Sequence, residues 1–147
     1  MSWRDSRRSL PSSASEPRWF TVDDLIATNL AVVAATQEPY ALRDPQLLES
    51  ASAVPANSWH YGGERDIVAL AAVLLFAVAR NHPFLQGNKR TGFAAAINFL
   101  ALNGWAVTAS FDAVHFAELI VDVLEGAAEP EAFAAALRPY VESVTAD

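Results

Sequence analysis

The sequence predicts an all-α domain, on three observations. Every long apolar pattern has helical spacing, and the segments between are marked by helix-capping and helix-stopping residues. The longest apolar run, residues 67–79, is 13 residues long, too short for the roughly 20 a membrane-spanning helix needs and suited to a buried core helix. Apolar residues make up 52% of the 147 and charged residues only 18%, a balance that supports one packed core rather than a disordered chain.

The elements follow in order. Residues 1–17 are rich in Ser, Arg and Pro without periodicity and read as a flexible tail, leaving 18–147 as the folded domain. Arg7-Arg8 is followed by Ser9-Leu10-Pro11 and no apolar stretch, which excludes a twin-arginine export signal. Thr21-Val22-Asp23-Asp24 has the spacing of a capping box and starts a helix running to about Thr36. Asp44-Pro45 pairs a cap with a proline at the first helical position, and a short helix over 46–54 is expected to stop at Pro55. Residues 56–63 then form a small flap loop carrying Trp59, His60 and Tyr61. The buried helix covers 64–80. Pro83 disfavours helical geometry at His82, so this helix ends near Asn81.

A further helix starts at Asn88 or Lys89 and ends before Gly104. Residues 105–108 suit a short extended piece. Ser110 or Asp112 caps a helix that ends at Glu125-Gly126. Glu129-Pro130 starts the last helix, which runs to Leu137 and is limited by Pro139.

Charge narrows the function classes. The formal net charge is −7; four arginines against Asp5 and Glu16 put residues 1–18 at +2, so the remainder carries −9. An acidic body lacks the clustered cations needed to displace counterions from nucleic acid. There is no cysteine, so disulfides and thiolate metal sites are excluded, and a cytoplasmic setting fits.

The chemistry concentrates in His82-Pro83-Phe84-Leu85-Gln86-Gly87-Asn88-Lys89-Arg90. Gly87 permits a tight turn and close approach of a ligand. The first amides of the following helix are unpaired and carry the positive end of its dipole, which makes a ready anion site. Asn88 adds an amide donor. Lys89, the chain's one lysine, and Arg90 add two charges, a compact one and a planar fork. A free imidazole titrates at about 6.5, so His82, at the end of the preceding helix, is a residue type that suits a general base. A base beside a polyphosphate cradle implies attack of a substrate hydroxyl on phosphorus. Phe84 is expected to pack the loop onto the core. His60 and His115 have no partner spacing for a metal and read as surface or structural residues.

This motif resembles that of the Fic/Doc superfamily, and its Asn88-Lys89-Arg90-Thr91 ending resembles the Doc branch. The likeness extends to Ala41-Leu42-Arg43-Asp44, Leu47-Leu48-Glu49-Ser50-Ala51, Arg90-Thr91-Gly92-Phe93 and Leu102-Asn103-Gly104, over roughly residues 19–140. It implies a compact helical bundle whose core helices flank the motif loop. Fic relatives transfer AMP to a protein hydroxyl and usually carry a second arginine three positions after the one matching Arg90. Phe93 stands there. The Doc branch also lacks that arginine and transfers the γ-phosphate of ATP to a threonine of translation elongation factor Tu.

By that resemblance the chain is a toxin kinase using ATP and Mg2+. His82 acts as base, and Gly87, Asn88, Lys89 and Arg90 hold phosphates. Trp59 and Tyr61 belong to a flap that aligns the target, and a small antitoxin is the expected partner. Gln86 stands where the family usually has an acidic metal ligand. Its carbonyl can coordinate Mg2+ but brings no charge. AMP transfer and a non-catalytic nucleotide- or partner-binding role are the alternatives. The self-inhibitory Ser/Thr-x-x-x-Glu-Gly/Asn pattern of some Fic proteins is missing its hydroxyl, since Val121 stands four residues before Glu125.

Overall fold

A computed structural model describes residues 15–144. Among the described residues are six α-helices, five of them packed around the sixth. Helix α1 spans Val22–Ala35, and its capping box is complete: Thr21 Oγ1 accepts from the Asp24 amide at 3.1 Å, and Asp24 Oδ2 accepts from the Thr21 amide at 2.9 Å. Helix α2 spans Pro45–His60, and Asp44 caps it through a bond from the Leu47 amide at 3.0 Å.

Here the sequence expectation fails. Pro55 does not end the helix but lies inside it. A helix-interior proline removes one backbone bond and costs about 3 kcal/mol. Leu48, Ala51, Pro55 and Trp59 are all buried and recur at helical spacing, so tertiary burial of this stripe outweighs the local penalty. The flap loop expected over 56–63 is therefore largely absent. Residues 56–60 are the last turn of α2, and only the Tyr61-Gly62 turn and the following residues are irregular.

Helix α3, Ile67–Asn81, is the centre of the domain, with 11 of its 15 residues buried. It starts two residues after the Glu64-Arg65 pair that was expected inside it, because Asp66 caps it, accepting from the Val68 and Ala69 amides. Helix α4, Asn88–Leu102, packs along α3. Gly92 allows the close approach: a Cβ there would stand 2.7 Å from the Leu75 carbonyl oxygen on α3. Helices α5, Ala113–Leu124, and α6, Pro130–Leu137, close the other side. Phe133 on α6 is fully buried and meets Phe76, Phe93 and Phe116 edge-on, with ring centroids 5.6–6.2 Å apart.

Two short strands complete the described residues. β1, Trp105–Val107, pairs antiparallel with β2, Val141–Ser143, in the register Trp105 with Ser143 and Val107 with Val141. β2 was not expected. Three residues carry no periodicity, and their partner lies more than 30 positions away. A single 3-10 turn, Arg138–Tyr140, leads into it.

Residues 1–14 of the expected tail lie outside the described residues. From Glu16 the chain is docked, contrary to a tail reaching residue 17. The Trp19 indole donates to Glu16 at 2.6 Å, His60 Nε2 lies 3.3 Å from the same carboxylate, and Arg18 exchanges two hydrogen bonds with Asn103. No described helix is long and apolar enough to cross a membrane.

Candidate active site

The loop between α3 and α4 is shaped by three residues. His82 ends α3 in the left-handed region, φ 48° and ψ 53°. Few residues without glycine's freedom adopt this conformation, and here it turns the chain sharply away from the helix axis. Phe84 is buried and anchors the loop to the core, as its sequence context suggested. Gly87 precedes α4 with φ 72°, and a Cβ there would press on Arg90 and Val32 at 3.2 Å.

Asn88, the first residue of α4, closes the loop on itself. Its Oδ1 accepts from the Phe84 amide at 3.0 Å, and its Nδ2 donates to the Phe84 carbonyl at 2.8 Å. These two bonds orient the amide. They leave Nδ2 facing His82 Nδ1 at 3.5 Å. Asn88 is thus buried and largely committed to the loop, where the sequence suggested a free phosphate donor.

His82, Gly87, Asn88, Lys89 and Arg90 line one cavity of about 270 Å³. No side chain caps α4, so its first-turn amides have no side-chain acceptor. The proposed base and the four proposed phosphate-binding residues therefore share a single opening. A larger apolar groove of about 430 Å³ adjoins it between α4 and α5, lined by Phe93, Phe116, Ile120 and Val121 and sharing Lys89 and Arg90.

The two cations differ. Among the described residues Lys89 is exposed and pairs with no carboxylate. Arg90 is bound to the α1–α2 connection: one guanidinium nitrogen lies 2.5 Å from Glu38 Oε1 and the other donates to Thr36 Oγ1 at 3.1 Å. The Thr36 hydroxyl also donates to Glu38. The Thr36 bond, and then Arg90, hold the Glu38 carboxyl below its ordinary value.

Sequence reasoning missed this acidic neighbour, and it missed Asn29. Asn29 is fully buried on α1 and donates from Nδ2 to the Gln86 carbonyl and to Thr91 Oγ1, both at 2.9 Å, while its Oδ1 has no partner. Nothing in the local sequence connects these residues, which lie more than 50 positions from their partners.

The Gln86 side chain is half-buried at the loop and does not line the cavity. No group of three His, Asp or Glu is placed to hold a metal among the described residues. Glu38, which lines neither cavity, is already engaged by Arg90. The donor set therefore does not fit a Mg2+ held by the protein alone, since hard divalent cations need charged oxygens.

Neither proposed flap residue reaches the cavity. Trp59 is buried, edge-on to Trp19 at 6.2 Å and covered by the Arg65 guanidinium at 4.0 Å, so it serves the core. Tyr61 is 87% exposed at the end of α2. The segment that lies against the motif loop is instead residues 41–44. Leu42 and Phe84 form an isolated antiparallel bridge, and the Leu85 amide donates to the Ala41 carbonyl at 2.9 Å. His60 pairs with Glu16, and His115 is exposed beside Phe116, so neither joins the site.

Phe93, where Fic relatives carry a second arginine, is half-buried against Phe111 and Phe133 and supplies packing rather than charge.

Comparison with known proteins agrees with this architecture. Residues 19–100 match the Fic/DOC family. The chain is 37% identical over 100 residues to a protein named Toxin Doc from Mycolicibacterium smegmatis (strain ATCC 700084 / mc(2)155), an alignment covering 67% of this chain and 77% of that protein. The match spans α1 through most of α4, including the motif loop, His82 and the Arg90 pair, and on it the chain belongs to the Fic/DOC family.

Proposed function

We propose that this protein is a toxin of the Doc type that transfers a phosphate from ATP to a hydroxyl of a target protein, with translation elongation factor Tu as the first target to test. The observation that carries this reading is the shared cavity: one imidazole faces the same opening as an uncapped helix start with two cations. Phosphoryl transfer needs little more from a protein than positioning and charge stabilisation. His82 takes the proton from the attacking hydroxyl. The first turn of α4 with Lys89 and Arg90 receives the phosphates, and Gly87 lets them approach the backbone. The neighbouring apolar groove, which shares both cations, suits the nucleoside part of the same ligand.

Any Mg2+ in this scheme arrives on the phosphates of ATP, since no carboxylate lines the cavity among the described residues. Family members are transferases of phosphate or of AMP, and Phe93 favours phosphate, because the arginine usual in AMP-transferring relatives is replaced by a packed aromatic ring. Membership beside a toxin named Doc also makes a small antitoxin the expected partner and the cytoplasm the expected setting.

Incubation of purified elongation factor Tu with the protein and ATP, read by intact-mass spectrometry, tests this. A phosphate-sized addition that requires His82 is the expected result. An AMP-sized addition would establish the Fic-type activity instead. No addition to this target or to any protein of a cell extract would leave a nucleotide- or partner-binding role, which the neutral Gln86 favours.

A further inference from the structure

The catalytic base proposed above needs a fixed direction, and its own backbone does not supply one. His82 is the C-cap residue just beyond Asn81, the last residue of α3, in a left-handed conformation that L-residues rarely adopt. The last carbonyls of a helix have no intrahelical donor and sit at the negative end of its dipole. In this chain Arg43 fills that place. Its Nε donates to the His82 carbonyl at 2.7 Å and its terminal nitrogen to the Asn81 carbonyl at 3.2 Å. The Arg43 and Asp44 amides both donate to the Pro83 carbonyl, at 2.8 and 3.0 Å.

Three successive carbonyls, at 81, 82 and 83, are therefore gripped by one dipeptide 39 positions upstream. Asp44 is itself fixed as the cap of α2. Arg43 does not line the cavity and pairs with no carboxylate among the described residues. On the other side of the loop, Asn88 faces the imidazole at Nδ1. The ring is thus set between a backbone clamp and an amide whose orientation is fixed by Phe84.

We propose that Arg43 is a positioning residue for His82, setting the direction of the imidazole through the backbone without touching nucleotide. This rests on the reading of His82 as the base. The planar guanidinium spans two carbonyls in one fork, which a lysine ammonium cannot reproduce. Loss of the clamp frees the left-handed turn to relax, and a displacement of about 1 Å at a reacting group costs on the order of 100-fold in rate.

The test compares wild type, Arg43→Lys and Arg43→Ala, each confirmed folded by circular dichroism. Expected are a fall in kcat of about 10- to 100-fold in Arg43→Ala, an unchanged KM for ATP, and partial recovery in Arg43→Lys. Nitrogen-proton spectra of the imidazoles, with His82 assigned through a His82→Gln variant, should show its ring signals shifted or broadened in Arg43→Ala while those of His60 and His115 stay. A folded Arg43→Ala protein with wild-type kcat, one whose ATP affinity falls in step with kcat, or one with unchanged His82 signals would overturn the proposal. If Arg43→Ala does not fold, the same spectra are read on Arg43→Lys. If wild type transfers nothing, the functional reading fails, while the spectra, which need no substrate, still decide the role of Arg43.

Discussion

The Glu38 carboxylate and the Arg90 guanidinium meet at 2.5 Å, joining the end of α1 to the start of α4 across 52 positions of sequence. Half of the cationic charge of the proposed cradle is thus already answered by an acid of the same chain. An incoming polyphosphate must share or displace Glu38 to use Arg90 fully. Glu38→Gln is expected to tighten ATP binding by about two- to fivefold, the scale of a partly exposed ion pair. Isothermal calorimetry measures this, with Lys89→Ala/Arg90→Ala as the weakened reference. Unchanged or weaker binding in Glu38→Gln would show that Glu38 helps to hold Arg90 in its binding position. The same pair sets an acid limit. The carboxyl is held below its ordinary value of 4.5, first by Thr36 and then by Arg90. Its contribution to stability is therefore present above that value and is lost as pH falls through the lowered one. Melting curves of wild type and Glu38→Gln should converge only below about pH 4.5.

Replacing His82 with alanine removes the proposed base. The side chain is exposed, so the fold should survive with an unchanged circular dichroism spectrum. Transfer should fall by about 10²- to 10⁴-fold, the usual cost of losing a general base. A folded His82→Ala protein that modifies its target at the wild-type rate assigns the base to another group.

Gln86 tests the metal. Gln86→Glu adds a charged oxygen at the loop, where hard-cation coordination lacks one. ATP should bind more tightly with Mg2+ present and more weakly without it, and transfer should rise only in the presence of the metal. A titration of Mg2+ against wild type and variant separates these effects. Robust wild-type activity with no gain in the variant would show that the phosphates alone hold the cation.

Asn88 is the loop's main structural tie. Asn88→Ala leaves the Phe84 amide and carbonyl without their partners at a buried site, and each such loss costs about 1–3 kcal/mol. A loss of roughly 2–4 kcal/mol in urea unfolding is expected. Lys89→Ala, one residue on but exposed, should stay within about 0.5 kcal/mol of wild type. Equal stabilities would mean that the loop holds its shape without the Asn88 amide.

What the sequence determined by itself was local. The capping box at Thr21, the Asp44-Pro45 start, the stop at His82 before Pro83 and the glycine turn at Gly87 each follow from the chemistry of a few adjacent residues, and each stands in the structure at the expected position. The motif loop was readable for the same reason, since its residues are neighbours in the chain. Only tertiary structure decided the rest. Pro55 stays helical because a buried stripe from Leu48 to Trp59 outweighs its missing hydrogen bond, and that burial turned the expected flap into a helix turn and Trp59 into core. The β1–β2 pairing, the grip of Arg43 on the His82 backbone and the closure of Glu38 on Arg90 all join residues more than 30 positions apart. Such contacts have no local pattern to announce them. They exist because packing around α3 brings the ends of α1, α2 and α4 to one place, where unpaired carbonyls and charges must find partners.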